Sequence, residues 1–311
     1  MKKGCFTPIK KNKNSLYIIG VSGGPDSMFL LDKMRKLGYN VVAAHVNYEK
    51  RLDSYVDEKI VFDYCNKFGI QFFLHKPTSY GKGNFQNIAR EIRYNFFFDI
   101  ADKLSNNVDL SVDGIVIAHN FEDLLETYKL QIKRKSFVNY WGLPFKVFKY
   151  KYWIFRPILK FTKFEILNYL NKAMIDYAID ESNKTSIYQR NIIRKEIFSL
   201  SKSEKINISK EIDEKNKDLN FLIKKFKRIS EMLINFNYIS LNKIWIESDF
   251  EIQQRLIYFW INNFSKEVFV QRKKNIIFEI VKQLNSQKKK IVIEIGKGFK
   301  IEKNNNLAFI E

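Results

Sequence analysis

Cysteine is nearly absent from this 311-residue chain, which carries only Cys5 and Cys65. The two lie far apart, with no CxxC pattern and no neighbouring histidine cluster. That excludes a disulfide framework, a structural zinc site and an iron–sulfur cluster built from this chain's own thiols. Long apolar runs are missing too: no stretch reaches the eighteen residues or so that a membrane-spanning helix needs. Residues Met1 to Asn14 are polar and basic, without the apolar core of a signal peptide. A soluble protein of the reducing cytoplasm, without a membrane partner, is the expectation. Acidic residues are also scarce, 34 Asp and Glu against 54 Lys and Arg, a formal charge of +20. Such an excess favours a polyanionic partner, nucleic acid before a membrane surface, although a general bias toward Lys, Asn, Ile and Phe would leave the same mark.

The length predicts two domains with ample apolar sequence for a core. In the first half, apolar runs at Leu16–Val21, Val41–Val46, Ile70–His75 and Gly114–Ala118 alternate with helical patterns near Ser27–Lys36, Asp53–Lys67, Phe85–Leu104 and Phe121–Arg134. Strands and helices alternating at this spacing predict an α/β fold with a doubly wound parallel sheet. Ligands of such sheets bind beyond the carboxyl ends of the strands, so the loops after Val21, Val46, His75 and Ala118 should carry the chemistry. From about Ser201 the pattern becomes helical, with a long connecting helix and further helices at Leu256–Ile261 and Ile276–Leu284. Short strands at Ile291–Ile295, Phe299–Ile301 and Leu307–Ile310 close the chain. The expected division is residues 1–200 and 201–311, the second part smaller and mainly helical. There is no internal repeat, and Lys288–Lys290 reads as a solvated loop.

The sharpest local signal is Ser22-Gly23-Gly24-Pro25-Asp26-Ser27, set between an apolar strand and a helix. Two glycines allow close backbone approach to an anion, the hydroxyls donate, and a helix N-terminus favours negative charge. The segment is neither Walker A, which needs Lys-Ser/Thr after its glycines, nor GxGxxG. A plain helix-capping turn is the bland alternative. After the Gly114–Ala118 strand comes Ala118-His119-Asn120-Phe121-Glu122-Asp123-Leu124-Leu125-Glu126-Thr127, with His119, Asp123 and Glu126 at spacings of four and three that predict one helical face. Ala89-Arg90-Glu91-Ile92-Arg93-Tyr94 would put two arginines on adjacent helical turns, able to present forks to phosphates. From Thr127 to Phe164 there are ten Lys or Arg and no acid, interleaved with aromatics such as Phe137, Trp141, Phe148, Tyr150 and Trp153. Cations for a backbone and rings for unstacked bases suit single-stranded RNA; a core of rings with a solvated basic rim is the alternative.

Taken together these segments resemble the tRNA(Ile)-lysidine synthetases, bacterial enzymes of the PP-loop superfamily. Ser22–Ser27 resembles the SGGxDS loop of the N-type ATP pyrophosphatases. The stretch from Ala118 to Thr127 resembles AHHxxDDxxET, with Asn120 and Glu122 in place of the second His and first Asp. Ala89–Tyr94 resembles ARxxRY. His45-Val46-Asn47, with Arg51, resembles HVNHGLR without its second His and Gly, which leaves His45 open between a structural and a nucleobase-contacting role. Arg156-Pro157-Ile158-Leu159 resembles RPLL, and Asp180-Glu181-Ser182-Asn183 with Arg190-Asn191-Ile192-Ile193-Arg194 resembles DxSN and RNxIR. After Lys133-Arg134 the family's glycine-rich stretch is replaced by Ser136-Phe137-Val138-Asn139.

The resemblance implies a reaction on isoleucine tRNA with a CAU anticodon. The wobble cytidine is adenylated with ATP, pyrophosphate leaves, and the ε-amine of free lysine displaces AMP to make lysidine. It further implies that Ser22, Gly23, Gly24, Pro25, Asp26, Ser27 and His45 bind ATP, and that Asp26, Arg93, His119, Asp123 and Glu126 are catalytic. Mg²⁺ would sit on Asp26 and Asp123, with Asp123 or Glu126 holding the lysine. Lys133, Arg134, Lys135, Arg190, Asn191 and Arg194 would contact tRNA. Oligomeric state stays open, a homodimer among the options. The rivals are another PP-loop tRNA-modifying enzyme such as a thiolase, an ammonia-using synthetase, and an RNA-binding module with a degenerate nucleotide site. Only the thiolase needs motif cysteines, and only the lysidine reading uses the RNxIR element and the basic aromatic segment together.

Overall fold

The computed structural model describes residues 4–12, 14–50, 53–80, 83, 85–105, 111–134, 137–178, 189–235, 237–264, 274–296 and 298–311; Gln189, Arg190 and Lys274 are described as backbone alone. The chain divides into two compact units, one comprising residues 1–127 and 143–206, the other 128–142 and 207–311.

The first unit is built on a six-stranded sheet of order β3-β2-β1-β4-β6-β5. Its strands are β1 (Ser15–Gly20), β2 (Asn40–Val46), β3 (Gln71–His75), β4 (Ser111–Ile117), β5 (Lys146–Lys149) and β6 (Tyr152–Phe155). All neighbours pair in parallel except the edge hairpin β5–β6. Strand β1 shows why both faces must be covered. Tyr17 and Ile19 point into a core with Phe29, Leu30 and Met34 of α1 (Pro25–Lys36), Val61 and Cys65 of α2 (Ser54–Lys67), and Ile166 and Leu170 of α5 (Lys163–Ala173). Leu16 and Ile18 point the other way, against Tyr94, Phe97 and Ile100 of α3 (Phe85–Ser105). A continuous apolar run is what a parallel strand buried on two faces requires.

The expected α/β sheet is therefore present, with one addition: the hairpin β5–β6 lies inside the basic aromatic segment. Period-two alternation splits its rings. Tyr152 and Ile154 are buried, whereas Phe148, Tyr150 and Trp153 are exposed. The order of strands reverses at β1, which has β2 on one side and β4 on the other. The loops leaving β1 and β4 thus flank the crevice where doubly wound sheets hold ligands. The loop after β1 opens α1, and the loop after β4 opens α4 (Phe121–Arg134).

The second unit has its own core around Trp245, Leu256, Trp260 and Ile277. It is formed by α7 (Lys202–Leu233) from Asn207 onward, α8 (Lys243–Ile246), α9 (Phe250–Phe264) and α10 (Lys274–Leu284), with an antiparallel sheet of order β7-β10-β9-β8. Those strands are β7 (Tyr238–Ser240), β8 (Lys290–Gly296), β9 (Phe299–Asn304) and β10 (Leu307–Ile310). Residues 128–142 belong with it for visible reasons. Asn216 clamps Trp141, accepting from its N–H at 2.8 Å and donating to its carbonyl at 3.0 Å. Arg255 donates to the carbonyl of Val138, and Phe137 packs on Tyr258. Two of the rings read as RNA-stacking are hence held by protein neighbours. Among the described residues no helix is long and apolar enough to cross a membrane.

Candidate active site

Strand β1 ends at Gly20, and Val21 leads into the loop. His45 of β2 donates Nδ1–H to the Val21 carbonyl at 2.8 Å, which leaves its Nε2 an acceptor, buried and without a partner among the described residues. Burial holds its pKa below the usual histidine range, so the ring is neutral. His45 braces the entry to the loop from behind. Next, Gly23 takes φ +84°, and a Cβ on it would lie 3.0 Å from the backbone oxygen of Asp57. A left-handed residue in tight contact with α2 accepts only glycine. Gly24 then N-caps α1 without a side chain, Pro25 follows in the first turn, and Ser27 Oγ folds back on the Gly24 carbonyl at 2.8 Å. Ser27 Oγ also receives the Ser22 N–H at 3.1 Å. The outcome is a tight loop delivering a helix N-terminus to the sheet's switch point, an anion-binding arrangement.

The α4 entrance meets this loop. Asn120 and Asp123 cap the helix reciprocally: Asn120 Oδ1 accepts from the Asp123 N–H at 3.0 Å, and Asp123 Oδ2 accepts from the Asn120 N–H at 2.9 Å. Asn120 also reaches across, its Nδ2 donating to Asp26 Oδ1 at 3.1 Å. The second oxygen of Asp26 holds the Lys163 ammonium at 2.7 Å. Lys163 opens α5 through a full capping box of Thr162 and Glu165, and its backbone N–H donates to Glu122 at 2.9 Å. Deeper in, the buried Glu126 is paired with Arg194 of α6 (Gln189–Ser199) at 3.3 Å.

These side chains line one cavity of about 280 Å³, made by Asp26, Asn120, Glu122, Asp123, Glu126, Lys163, Arg194, Ile197 and Phe198. Four carboxylates in so small a space repel one another. Asp123 shows the effect: burial first, then the charges of Asp26 and Glu126, push its pKa up to about 6. A cation entering the cavity relieves that repulsion. Among the described residues no three of these or other metal-ligating side chains are placed to hold a metal ion by themselves. Hard carboxylate oxygens in ones and twos, completed by phosphate and water, are nonetheless how Mg²⁺ is usually held, so Asp26 and Asp123 fit that ion.

The structure brings together Asp26, Asp123, Glu126 and Arg194 from the residues singled out above. Arg194 was read as a tRNA contact and here faces Glu126. The expected single helical face is corrected for His119. Because Asn120 caps the helix, His119 precedes it, and its Nδ1 accepts from Arg156 Nε at 3.0 Å outside the cavity lining. Arg156 is itself buried, with its pKa lowered by desolvation, and donates to the Pro144 carbonyl at 3.0 Å. Arg93 is exposed and does not line the cavity, and Lys133 and Arg134 are exposed at the end of α4. Lys135, the Arg190 side chain, Arg51 and Asp180–Asn183 lie outside the described residues. Sequence reading missed Lys163, Glu122 and Asn120 as parts of the site. For Lys163 a signal existed: Thr162-x-x-Glu165 is a capping box that marks the residue between as the first of a helix.

A PP-loop domain family matches residues 2–201. The chain is 36% identical over 309 residues to a tRNA(Ile)-lysidine synthase of Mesoplasma florum, covering 97% of this chain and 75% of that one. It is 37% identical to the tRNA(Ile)-lysidine synthase of Mycoplasma mycoides subsp. mycoides SC (96% and 74% covered) and 35% identical to that of Mycoplasmopsis pulmonis (92% and 96%). Among solved structures, a U34-tRNA thiolase from Methanococcus maripaludis with its [4Fe-4S] cluster superposes with a TM-score of 0.50 at 17% identity, covering 66% of this chain and 74% of that one, a likeness of fold.

Proposed function

This chain belongs to the PP-loop enzymes and, within them, to the tRNA(Ile)-lysidine synthase family; from that premise we propose that it joins free lysine to the wobble cytidine of isoleucine tRNA with a CAU anticodon, in the cytoplasm, through an adenylated base. It is an ATP-using, tRNA-modifying ligase. The observation that carries the finer reading is the meeting of the two strand-end loops, where Asn120 joins the loop's Asp26 to the capped Asp123 over one acidic cavity.

In the first step the cytidine C2 oxygen bonds to the α-phosphorus of ATP as the bond to the bridging oxygen breaks. Ser22–Ser27 and the α1 N-terminus receive the pyrophosphate, whose negative charge they stabilise. Asp26 and Asp123 would hold Mg²⁺, which supplies charge neutralisation at the phosphates. In the second step the neutral ε-amine of lysine bonds to C2 and AMP leaves with its electron pair. Lysine arrives as an ammonium ion, so a carboxylate has to hold it and a base has to take its proton. Glu126 and Asp123 are the acids available at the cavity, and with Asp123 given to the metal, Glu126 is the carboxylate left to hold the lysine. Residues 201–311 and the basic stretch before them supply tRNA recognition. A thiolase reading lacks support in the thiols: Cys65 is buried, and desolvation pushes its pKa up to about 12.

The test is to incubate the protein with the CAU-bearing isoleucine tRNA, ATP and lysine, and to analyse the nucleosides by mass. A cytidine heavier by one lysine less one water is the expected product, absent with Asp26→Ala, which still binds tRNA. ATP consumption without that nucleoside, or product from Asp26→Ala at the parent rate, overturns the reading.

A further inference from the structure

Lys163 has no part in the steps above, yet it is the residue most firmly aimed at the loop's aspartate. Its ammonium lies 2.7 Å from Asp26 Oδ2, with both side chains only 27% exposed. Its backbone leaves little freedom in where the side chain starts. The Thr162–Glu165 capping box fixes the first turn of α5, and Glu122 accepts the Lys163 N–H at 2.9 Å. Glu122 is itself held by the Lys205 ammonium at 3.4 Å. Only the four methylenes and the ammonium remain adjustable, inside the cavity that Asp26, Asp123 and Glu126 line.

A divalent ion on Asp26 needs a carboxylate oxygen at about 2.1 Å, and such an ion beside an ammonium on the same carboxylate is a like-charge pair. Asp26 Oδ1 is already engaged by Asn120, so the oxygen to be surrendered is the one Lys163 holds. Metal and lysine therefore compete for Oδ2. We propose that Lys163 is a placeholder cation and positioning residue: it keeps Asp26 occupied and oriented until metal-bound ATP arrives, then gives up Oδ2 to the metal and turns its ammonium to the pyrophosphate portion of the nucleotide. The device makes metal binding depend on ATP, because the displaced ammonium gains a new anionic partner only when phosphates are present. The proposal rests on the assignment of Asp26 to the divalent cation in the function proposed above.

The test uses the full chain with Mn²⁺ as the probe, titrated by electron paramagnetic resonance with and without a non-hydrolysable ATP analogue, and separately with metal-free pyrophosphate. Wild type is expected to bind Mn²⁺ weakly alone and tightly with the analogue. Lys163→Gln should bind Mn²⁺ alone about tenfold more tightly, the size of one competing, partly exposed ion pair, and this gain should vanish in Lys163→Gln/Asp26→Asn. Lys163→Arg, which keeps the charge, should retain the weak metal binding of wild type. Pyrophosphate affinity should fall about tenfold in Lys163→Gln. Unchanged thermal stability of Lys163→Gln would show that the fold is intact. If wild type binds Mn²⁺ with the analogue but Lys163→Gln binds Mn²⁺ alone no better than wild type, the placeholder is overturned and the function stands. Unchanged pyrophosphate affinity overturns the transfer to phosphate. If wild type fails to bind Mn²⁺ even with the analogue, the metal assignment falls and takes the placeholder with it.

Discussion

The carboxamide of Asn120 donates to Oδ1 of Asp26 at 3.1 Å, joining the loop after β4 to the loop after β1. The same side chain caps α4, so one residue serves stability and site geometry at once.

The two roles can be separated by substitution. Asn120→Ala should lose about 1 kcal/mol of stability with its cap and about tenfold in pyrophosphate release as Asp26 loses its orienting donor. Asn120→Ser restores a capping hydroxyl but is too short for Asp26. Denaturant unfolding should recover in the Ser variant while pyrophosphate release does not. Recovery of both would mean that the bridge to Asp26 is inert.

Acidity of Asp123 gives a pH dependence with a definite sign. Its folded pKa of about 6 lies above the usual carboxylate value, so the folded state holds a proton that the unfolded state releases between about pH 4 and 6. The contribution to stability is present below about pH 4 and lost as pH rises through 6. Asp123→Asn should abolish this slope, giving a variant that gains on wild type by up to about 3 kcal/mol at neutral pH. Unfolding midpoints of both proteins from pH 4 to 8 measure it, and parallel curves would refute the assignment.

Lysine recognition should fail separately from adenylation. Glu126→Gln keeps the shape of a buried side chain paired to Arg194 but removes its charge. The KM for lysine should rise tenfold or more, the worth of a charge-assisted hydrogen bond, with pyrophosphate release from ATP and tRNA within about twofold of wild type. A loss confined to pyrophosphate release would place Glu126 in the first step instead.

Exposed Lys133 and Arg134 should act on tRNA through phosphates. Replacing both by Gln should weaken tRNA binding and flatten its log–log salt dependence by about 1.4, at 0.7 for each single-strand contact. A solvated rim predicts weaker binding at low salt with the slope unchanged. Titrating labelled tRNA at several salt concentrations distinguishes the two.

The alternation of apolar runs with amphipathic stretches was enough to determine the parallel sheet, because strands buried on both faces must read as continuous apolar sequence, as Leu16–Ile19 does. The loop Ser22–Ser27 and the start of α4 were legible for a local reason: glycines, caps and helix starts are encoded within a few residues. The hairpin β5–β6 was obscured by its own composition, since a half-exposed edge strand rich in Lys and aromatics resembles an RNA-binding stretch. What only the tertiary structure decided is which charges face one another. Asp26 and Lys163 are 137 residues apart, Glu126 and Arg194 are 68 apart, and His119 meets Arg156 rather than the cavity. No local pattern encodes those pairs. They arise because sheet order sets β4 beside β1 and the starts of α4 and α5 converge on that crevice, so that burial and charge at the site depend on long-range packing.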